Sequence, residues 1–539
     1  MVADSQPVDA APAAVDGLDH SAFSPLRLPL FRMLWVATLV SNVGTWMHEV
    51  GAGWLMTSLS PSPVMVALVQ TATTLPVFLL ALPAGALSDI VDRRRYLLAV
   101  QVWMAGVAAL LGALTLTGLA SAWSLVVLTF AMGIGTAMMM PAWAALTPDV
   151  VPREQWQAAI ALNSLGINVA RAIGPALAGF IVSMAGTGAV FVLNAVSYLG
   201  IVYVLARWRR RVTPTTLPTE RFGVALRSGL RFARHAPELQ AAAVRGLGFF
   251  IAASASWALL PLVARDLIDG GPQAFGLLVG ALGAGAVLGA LVLPPLRRHV
   301  SRDALVAGAS VAYALSMLGL ASIDRLWLLM PIIAFAGAAW ITTLSSLQVA
   351  AQMALPDWVR SRGLAVFMMV FMGSMAFGSL AWGSLAALID VSTALGAAAL
   401  TQLIAIVLVR HARISGFEPV DLSPSLHWPE PDAHDGITHE RGPVMVTVEY
   451  LVAPEHEARF LDAMATLRTR RRRDGAFAWG MHEDVARRYR YVESFHLESW
   501  LEHLRQHERV TDADRVLQQQ IRDLLIEGTA PRVEHYVAP

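Results

Sequence analysis

The chain has 539 residues, of which 56% are hydrophobic and only 15% charged, with a formal net charge of +1. Its mean hydropathy is +0.55, whereas soluble domains carry about a quarter charged residues, so an ordinary water-soluble enzyme is excluded and the missing charge must be hidden in lipid. There is no cysteine and every basic residue is arginine, which removes disulfides, thiolate sites, lysine Schiff bases and the phosphate-loop lysine.

Residues 1–26 carry Asp4, Asp9, Asp16 and Asp19 and no basic residue. A secretory signal needs a positive region ahead of its apolar stretch, so this segment reads as a disordered cytoplasmic tail. From Leu30 to His411 the chain is a series of apolar runs, each near the ~20 residues that a helix needs to cross a bilayer. They predict twelve spans near 31–58, 63–88, 96–118, 122–146, 157–184, 188–207, 239–264, 273–296, 302–322, 327–354, 363–388 and 391–411. With the N-terminal side taken as inside, the inner loops and flanks hold 21 arginines and the outer loops two, Arg265 and Arg325. That asymmetry predicts both termini on the cytoplasmic side of the inner membrane.

The spans fall into halves at 27–207 and 239–412, joined by a basic cytoplasmic loop at 208–238 that includes "RWRRR" and reads as a membrane-anchoring flank. The halves echo one another: "TPDVVPREQ" follows span four and "LPDWVRSRG" follows span ten, with Pro148-Asp149 and Pro356-Asp357 in matching places. Internal repeats of this kind mark transporters whose two bundles rock about a site near the membrane midplane.

Polar residues inside the spans are the functional candidates. In span one, Asn42, Thr45 and Glu49 share one helical stripe with His48 beside it. Glu49 lies sixteen residues beyond Met33, about 24 Å along the helix. A carboxylate at such depth costs roughly 2.5–3.5 kcal/mol or more unless paired, hydrated or protonated, which suits a proton-coupling group. A structural partner or a vestibule residue is the plainer reading. Span two carries Gln70, Thr71, Thr73 and Thr74. Span five places Ser164, Asn168, Arg171 and Pro175 on one face. Arginine keeps its charge, so Arg171 must meet a carboxylate, carbonyls or an anionic substrate, and Glu49 is the natural partner. Gln348 and Gln352 in span ten complete the candidate cavity wall, with tryptophans such as Trp46, Trp257 and Trp340 as possible aromatic walls.

Between spans two and three the chain reads "GALSDIVDRRR", with Gly85, Asp89, Arg93, Arg94 and Arg95. This resembles the signature loop of the major facilitator superfamily, departing from it at Ile90 and Asp92. Span five reads "ARAIGPALAG", and its Gly174, Pro175 and Gly179 are similar to the glycine-proline motif of drug–proton antiporters, with Ala170 and Ala178 replacing glycines. The whole pattern resembles the transmembrane secretion effector exporters, whose relatives include enterobactin and macrolide exporters. The resemblance implies a twelve-helix, all-α membrane fold in two pseudo-repeated halves. It also implies a gating role for Asp89 and the arginines, which could latch the cytoplasmic faces of the two halves.

Residues 413–442 are proline-rich and acidic and read as a linker. Residues 443–539 then alternate strand and helix signals in the order β-α-β-β-α-β, which suggests a small ferredoxin-like α+β domain resembling dimeric α/β-barrel monooxygenase-like domains. His482, His496, His503, His507 and His535 lie in this tail. His503 and His507 have the i, i+4 spacing that can ligate metal, but without a third ligand at fixed spacing they read as a solvated face, as does the "RTRRRRD" run. The expectation for the tail is therefore no metal and no cofactor, with a regulatory or dimerising partner.

Together these readings predict a secondary transporter with no catalytic residues. It would export a small amphiphilic molecule (a drug, siderophore or secondary metabolite) against protons, with lipid around it and no nucleic-acid partner. An importer or lipid transporter on the same fold, or a membrane-tethered monooxygenase-like enzyme, are the alternatives.

Overall fold

The computed structural model describes residues 23–538 apart from 145, 209–221, 357, 415–422, 424, 426 and 430–436. The first half consists of α1 (Pro29–Leu59), α2 (Pro63–Ile90), α3 (Arg93–Leu116), α4 (Ala122–Ala144), a one-turn α5 (Thr147–Val150) and α6 (Trp156–Arg207). After α7 (Phe222–His235) come α8 (Pro237–Leu262), α9 (Pro272–Leu296), α10 (Arg302–Ser322), α11 (Leu326–Met353), α12 (Arg360–Leu388) and α13 (Val391–Leu408). Proline opens α1, α2, α8 and α9 at the first helical turn, where its missing N–H is no loss.

Among the described residues, ten helices are long and apolar enough to cross a membrane. The expected twelve spans differ from this in two places. Spans five and six run together as the 52-residue α6, broken only at Gly186, whose φ of 79° and ψ of 170° reverse the chain. No L-residue adopts that conformation readily, so glycine makes the turn between the two spans. Span one is present as α1, but its polar stripe keeps it outside those ten.

The 208–238 segment was expected to be loop, yet its described part forms α7. The physical reason is its apolar edge: Phe232 is buried edge-to-face on Trp358, with ring centroids 5.8 Å apart. Gly229 lies so close to α12 that an added Cβ would stand 2.8 Å from that of Arg362. An amphipathic face packed on the bundle stabilises a helix that its polar composition alone would not.

The tail forms a four-stranded antiparallel sheet from β1 (Val444–Leu451), β2 (Phe477–Glu483), β3 (Arg490–Leu497) and β4 (Arg532–Val537), in the order β2-β3-β1-β4. That is the ferredoxin-like arrangement implied by the order of elements. Val444, Val446, Val448 and Tyr450 alternate onto the face covered by α14 (Glu457–Arg473) and α16 (Asp512–Arg522), and α15 (Trp500–Arg509) precedes α16.

The tail sits against α7 and the arginine-rich end of the bundle. Arg231 of α7 faces Glu502 of α15 at 3.6 Å. The Arg473 guanidinium lies 5.4 Å from the Phe232 ring centroid, and that of Arg509 lies 4.3 Å from Trp358.

Candidate functional site

Glycine and proline set how closely the halves approach. A Cβ on Gly174 would stand 2.7 Å from that of Trp46, so the glycine lets α6 press on α1. A Cβ on Gly179 would meet the Pro272 carbonyl at 2.7 Å and the Gln273 and Gly276 Cα atoms at 3.1 Å. Pro175 belongs to the same contact, because its carbonyl lies 2.6 Å from where a Gly276 Cβ would be. Gly53 meets Pro261 and Phe275, Arg265 donates to the Thr57 carbonyl at 2.7 Å, and Gln273 donates to Ser183 Oγ at 2.9 Å. These contacts close the two halves on one another at the end away from the arginine-rich loops.

Just inside that closed end lies a cavity of about 80 Å³, walled by α1, α2, α4, α6, α8 and α9. Thr45, His48 and Glu49 bring the stripe of α1 to it. The Glu49 side chain is open to the cavity. His48 is buried against Phe191, ring centroids 4.8 Å apart, and neither of its ring nitrogens has a hydrogen-bond partner. Thr45 Oγ1 lies 3.1 Å from the Tyr198 hydroxyl.

Arg171 does not form a close ion pair with Glu49. It interacts with Glu49 electrostatically across the intervening space, and its guanidinium lies 5.4 Å from the Trp46 ring centroid. The reason is register. Arg171 sits one turn before Gly174, so it reaches Trp46 rather than the residue three positions further on. A cation over an indole face is held by the ring quadrupole.

The other expected wall residues are spread more widely. Asn42 is half-buried on α1 and does not line the cavity. Asn168 donates to the Ser164 carbonyl of its own helix at 2.9 Å. Gln348 is exposed on α11. Gln352 lines a separate cavity of about 810 Å³ between the second half and the tail, among Arg302, Arg360, Arg470 and Arg473. Of the tryptophans, Trp46 and Trp257 face the central cavity, with ring centroids 6.5 Å apart, whereas Trp340 is buried in an aromatic cluster of the second half.

Sequence reasoning did not single out Thr129 and Thr136 of α4 or Asn194 and Tyr198 of α6, all of which line the cavity. Asn194 and Tyr198 are spaced i, i+4, which would have shown a shared face. Thr129 Oγ1 and both His48 nitrogens are buried at the cavity without hydrogen-bond partners, whereas the Asn194 amide meets the Tyr198 hydroxyl and the Trp257 N–H meets that of Tyr313. Buried polar atoms without partners each need an explanation.

In the signature loop, Gly85 faces open space and the side chain of Asp89 lies outside the described residues. Arg93 pairs with Asp149 at 2.6 Å, Arg94 donates to the carbonyls of Leu205 and Ala206, and the Arg95 N–H is capped by Asp92. All these partners belong to the first half, so these bonds tie the start of span three to the ends of spans four and six. Asp357, which echoes Asp149, lies outside the described residues.

The tail corrects two further expectations. Arg471 of the arginine run is not solvated. It is buried, pairs with Glu493 at 3.2 Å and lies 5.0 Å from the Trp428 ring centroid. Glu493 also accepts from Tyr450 and Trp479, both at 2.9 Å. His503 is likewise not on a solvated face, being 1% exposed, and His507 is half-buried. Burial, then the neighbouring His535, His507 and Arg471, push His503 down to about 3. Burial, then His535 and Arg471, push His507 down to about 4.

Comparison with known proteins places this geometry in context. The chain matches the family model of the transmembrane secretion effectors over residues 20–539. It is 24% identical over 278 residues to the staphyloferrin A transporter of Staphylococcus aureus, covering 51% of this chain and 70% of that one. It is 24% identical over 364 residues to the multidrug efflux pump Tap of Mycolicibacterium fortuitum, covering 66% and 87%. It is 27% identical over 321 residues to the enterobactin exporter EntS of Salmonella typhi, covering 59% and 76%. Among solved structures it is similar to an inward-facing bacterial homologue of the lysosomal transporter Spinster, with TM-score 0.55, 12% identity and coverage of 72% and 95%. A POT family transporter in complex with 5-aminolevulinic acid gives TM-score 0.60, 12% identity and coverage of 72% and 96%. The structural likenesses establish the fold alone.

Proposed function

The chain belongs to the transmembrane secretion effector family of major facilitator transporters, and from that premise we propose that it exports a small amphiphilic molecule in exchange for protons. The observation that carries this reading is the pair of buried side chains without hydrogen-bond partners, His48 and Thr129, on the wall of the cavity into which Glu49 opens. The cavity of about 80 Å³ must widen during the cycle to take a substrate, its aromatic and aliphatic walls then receiving the apolar body and its polar atoms the hydrogen-bonding groups. The siderophore and multidrug activities of the relatives named above fit that chemistry. On this reading the substrate is a siderophore, drug or secondary metabolite.

Glu49 is the coupling residue in this reading. An intramembrane carboxylate open to the cavity can take a proton when the cavity faces one side and release it when it faces the other, while bound substrate competes for the same space. Arg171 interacts with this carboxylate electrostatically without neutralising it in a direct pair. With the termini and the arginine-rich loops on the cytoplasmic side, the closed end faces outward. The loop from Gly85 to Arg95, with Asp89 at its centre, serves as the gating loop of that cycle, and the tail as a cytoplasmic regulatory or dimerising module.

The test is uptake of fluorescent amphiphiles and siderophores into inside-out vesicles with and without an imposed pH gradient. Gradient-dependent accumulation is expected, and Glu49→Gln should abolish the dependence on the gradient while leaving the protein inserted. Accumulation by the variant that still follows the gradient would remove Glu49 from the mechanism, and movement only in the opposite direction would overturn the export reading.

A further inference from the structure

Outside the membrane, the sheet of the tail holds a cavity of about 950 Å³ that the transport reading does not use. Three imidazoles converge on its wall: His503 and His507 from successive turns of α15, and His535 from β4. Their ring centroids are 4.8 Å (His503–His507) and 4.6 Å (His503–His535) apart. One nitrogen of each lies within 4.8 Å of the others. The helical pair alone lacked a third ligand in the sequence. The sheet supplies it, because β4 pairs with β1 in a register that sets His535 opposite Val446, beneath α15.

We propose that His503, His507 and His535 form a three-imidazole site for a divalent transition-metal ion of the cobalt-to-zinc class, with one coordination position open to the tail cavity. Three neutral nitrogen donors select such ions over magnesium or calcium, which require oxygen. A tetrahedral ion with metal–nitrogen bonds of 2.0–2.1 Å spaces its ligand atoms about 3.3 Å apart, so small side-chain rotations from the present arrangement close the site. His503 is 1% exposed, and neither of its ring nitrogens has a hydrogen-bond partner, a costly arrangement unless something else meets the lone pair. His507 has the second hydrogen bond expected of a metal ligand, to the Pro429 carbonyl, which fixes its ring.

The charges around the site are mixed, with Arg522 on the cavity wall and Glu534 paired with Arg532 at 2.7 Å. Arg471 shares the cavity wall but is paired with Glu493, and Glu534 adjoins His535 at the same wall. His427 lines the cavity too, but it is held by Ser425 at 2.6 Å and Gln518 at 3.1 Å, which makes it an internal control.

The test uses the full-length protein in nanodiscs, purified through a tag without histidine and titrated with Co²⁺. One ion per chain is expected, with the intense visible bands of tetrahedral cobalt, displaced by Zn²⁺. His535→Ala and His507→Gln should each weaken binding by more than the ~10–100-fold that losing a group hydrogen-bonded to a ligand costs. His427→Ala should bind as the parent does. Circular dichroism and melting of each variant separate ligand loss from unfolding, and the half-buried His507 carries the comparison if His535→Ala unfolds the tail. Absence of stoichiometric cobalt, binding unchanged in folded His507→Gln, or an equal loss in His427→Ala would overturn the assignment.

Discussion

Gly276→Ala tests how the two halves close. A Cβ at this position would stand 2.6 Å from the Pro175 carbonyl oxygen, 2.8 Å from Gly179 Cα and 3.0 Å from Gly179 N. All three atoms are backbone of α6, and none can turn aside as a side chain would. Overpacking of this kind costs ~1–3 kcal/mol, and the cost falls only on the state in which this end is closed. The equilibrium between closed and open should therefore move about 5–150-fold towards open. Gly280, one turn along α9, is the control, since its added Cβ would meet Ala172 O at 3.5 Å and the Ala176 Cβ at 3.6 Å, an ordinary contact.

The absence of cysteine makes the assay clean. Cysteines at Ser183 and Gln273, whose side chains are hydrogen-bonded at 2.9 Å, can be joined by a short bifunctional maleimide. Gly276→Ala should lower the cross-linking rate and the transport rate together, and Gly280→Ala should change neither. Parental cross-linking in Gly276→Ala would refute the claim that this glycine contact sets the closure.

Two further predictions concern the tail. Burial raises the Asp514 carboxyl, but Arg473, Arg470 and hydrogen bonds from Thr511 outweigh it and hold the group below the usual range. Its contribution is therefore complete above its unfolded value of about 3.9 and lost as pH falls through the lower folded value. Asp514→Asn should destabilise the tail at neutral pH by about 1.5–3 kcal/mol, read as a fall in melting temperature, and the difference from the parent should shrink below about pH 4. A difference that stays constant down to pH 2 would count against this account. Phe232 is 1% exposed between Trp358 and Arg473, so Phe232→Ala should cost ~3–5 kcal/mol at this seat. Hydrogen exchange of 222–235 should accelerate while the tail keeps its own melting transition, and unchanged exchange would mean that Phe232 does not hold α7 in place.

What could be read from the sequence was what local periodicity encodes. Apolar runs located the spans, and alternation at Val444, Val446, Val448 and Tyr450 located β1. The stripe of Asn42, Thr45 and Glu49, with His48 beside it, was visible because its members share one helix, and all but Asn42 line the cavity. What was hidden depends on which helix faces which. Tyr198 meets Thr45 from 153 residues away, and Arg171 meets Trp46 instead of the carboxylate because the close approach at Gly174 sets the register between α1 and α6. Helix α7 was hidden for a related reason, since its helicity comes from packing against Trp358. Likewise His535 joins His503 only through strand pairing, which no spacing rule along the chain could supply.

Trp46 connects the polar site to the closing motion. Its Cβ rests where Gly174 leaves room, its ring receives Arg171, and its centroid lies 6.5 Å from Trp257 of the second half. The backbone of Arg171 also touches α9, because an added Cβ on Gly283 would fall 2.5 Å from the Arg171 carbonyl. One short stretch of α6, from Arg171 to Gly179, thus carries the cation nearest Glu49, the wedge against α1 and the glycine contact with the second half. A change in charge at Glu49 alters the pull on Arg171, and Arg171 cannot move without disturbing the packing of α6 on both α1 and α9. Close packing converts small shifts into discrete rearrangements. In the proposed cycle, protonation of Glu49 and opening of the closed end are coupled through this stretch, and the glycine-proline motif is the part of span five that makes the coupling mechanical.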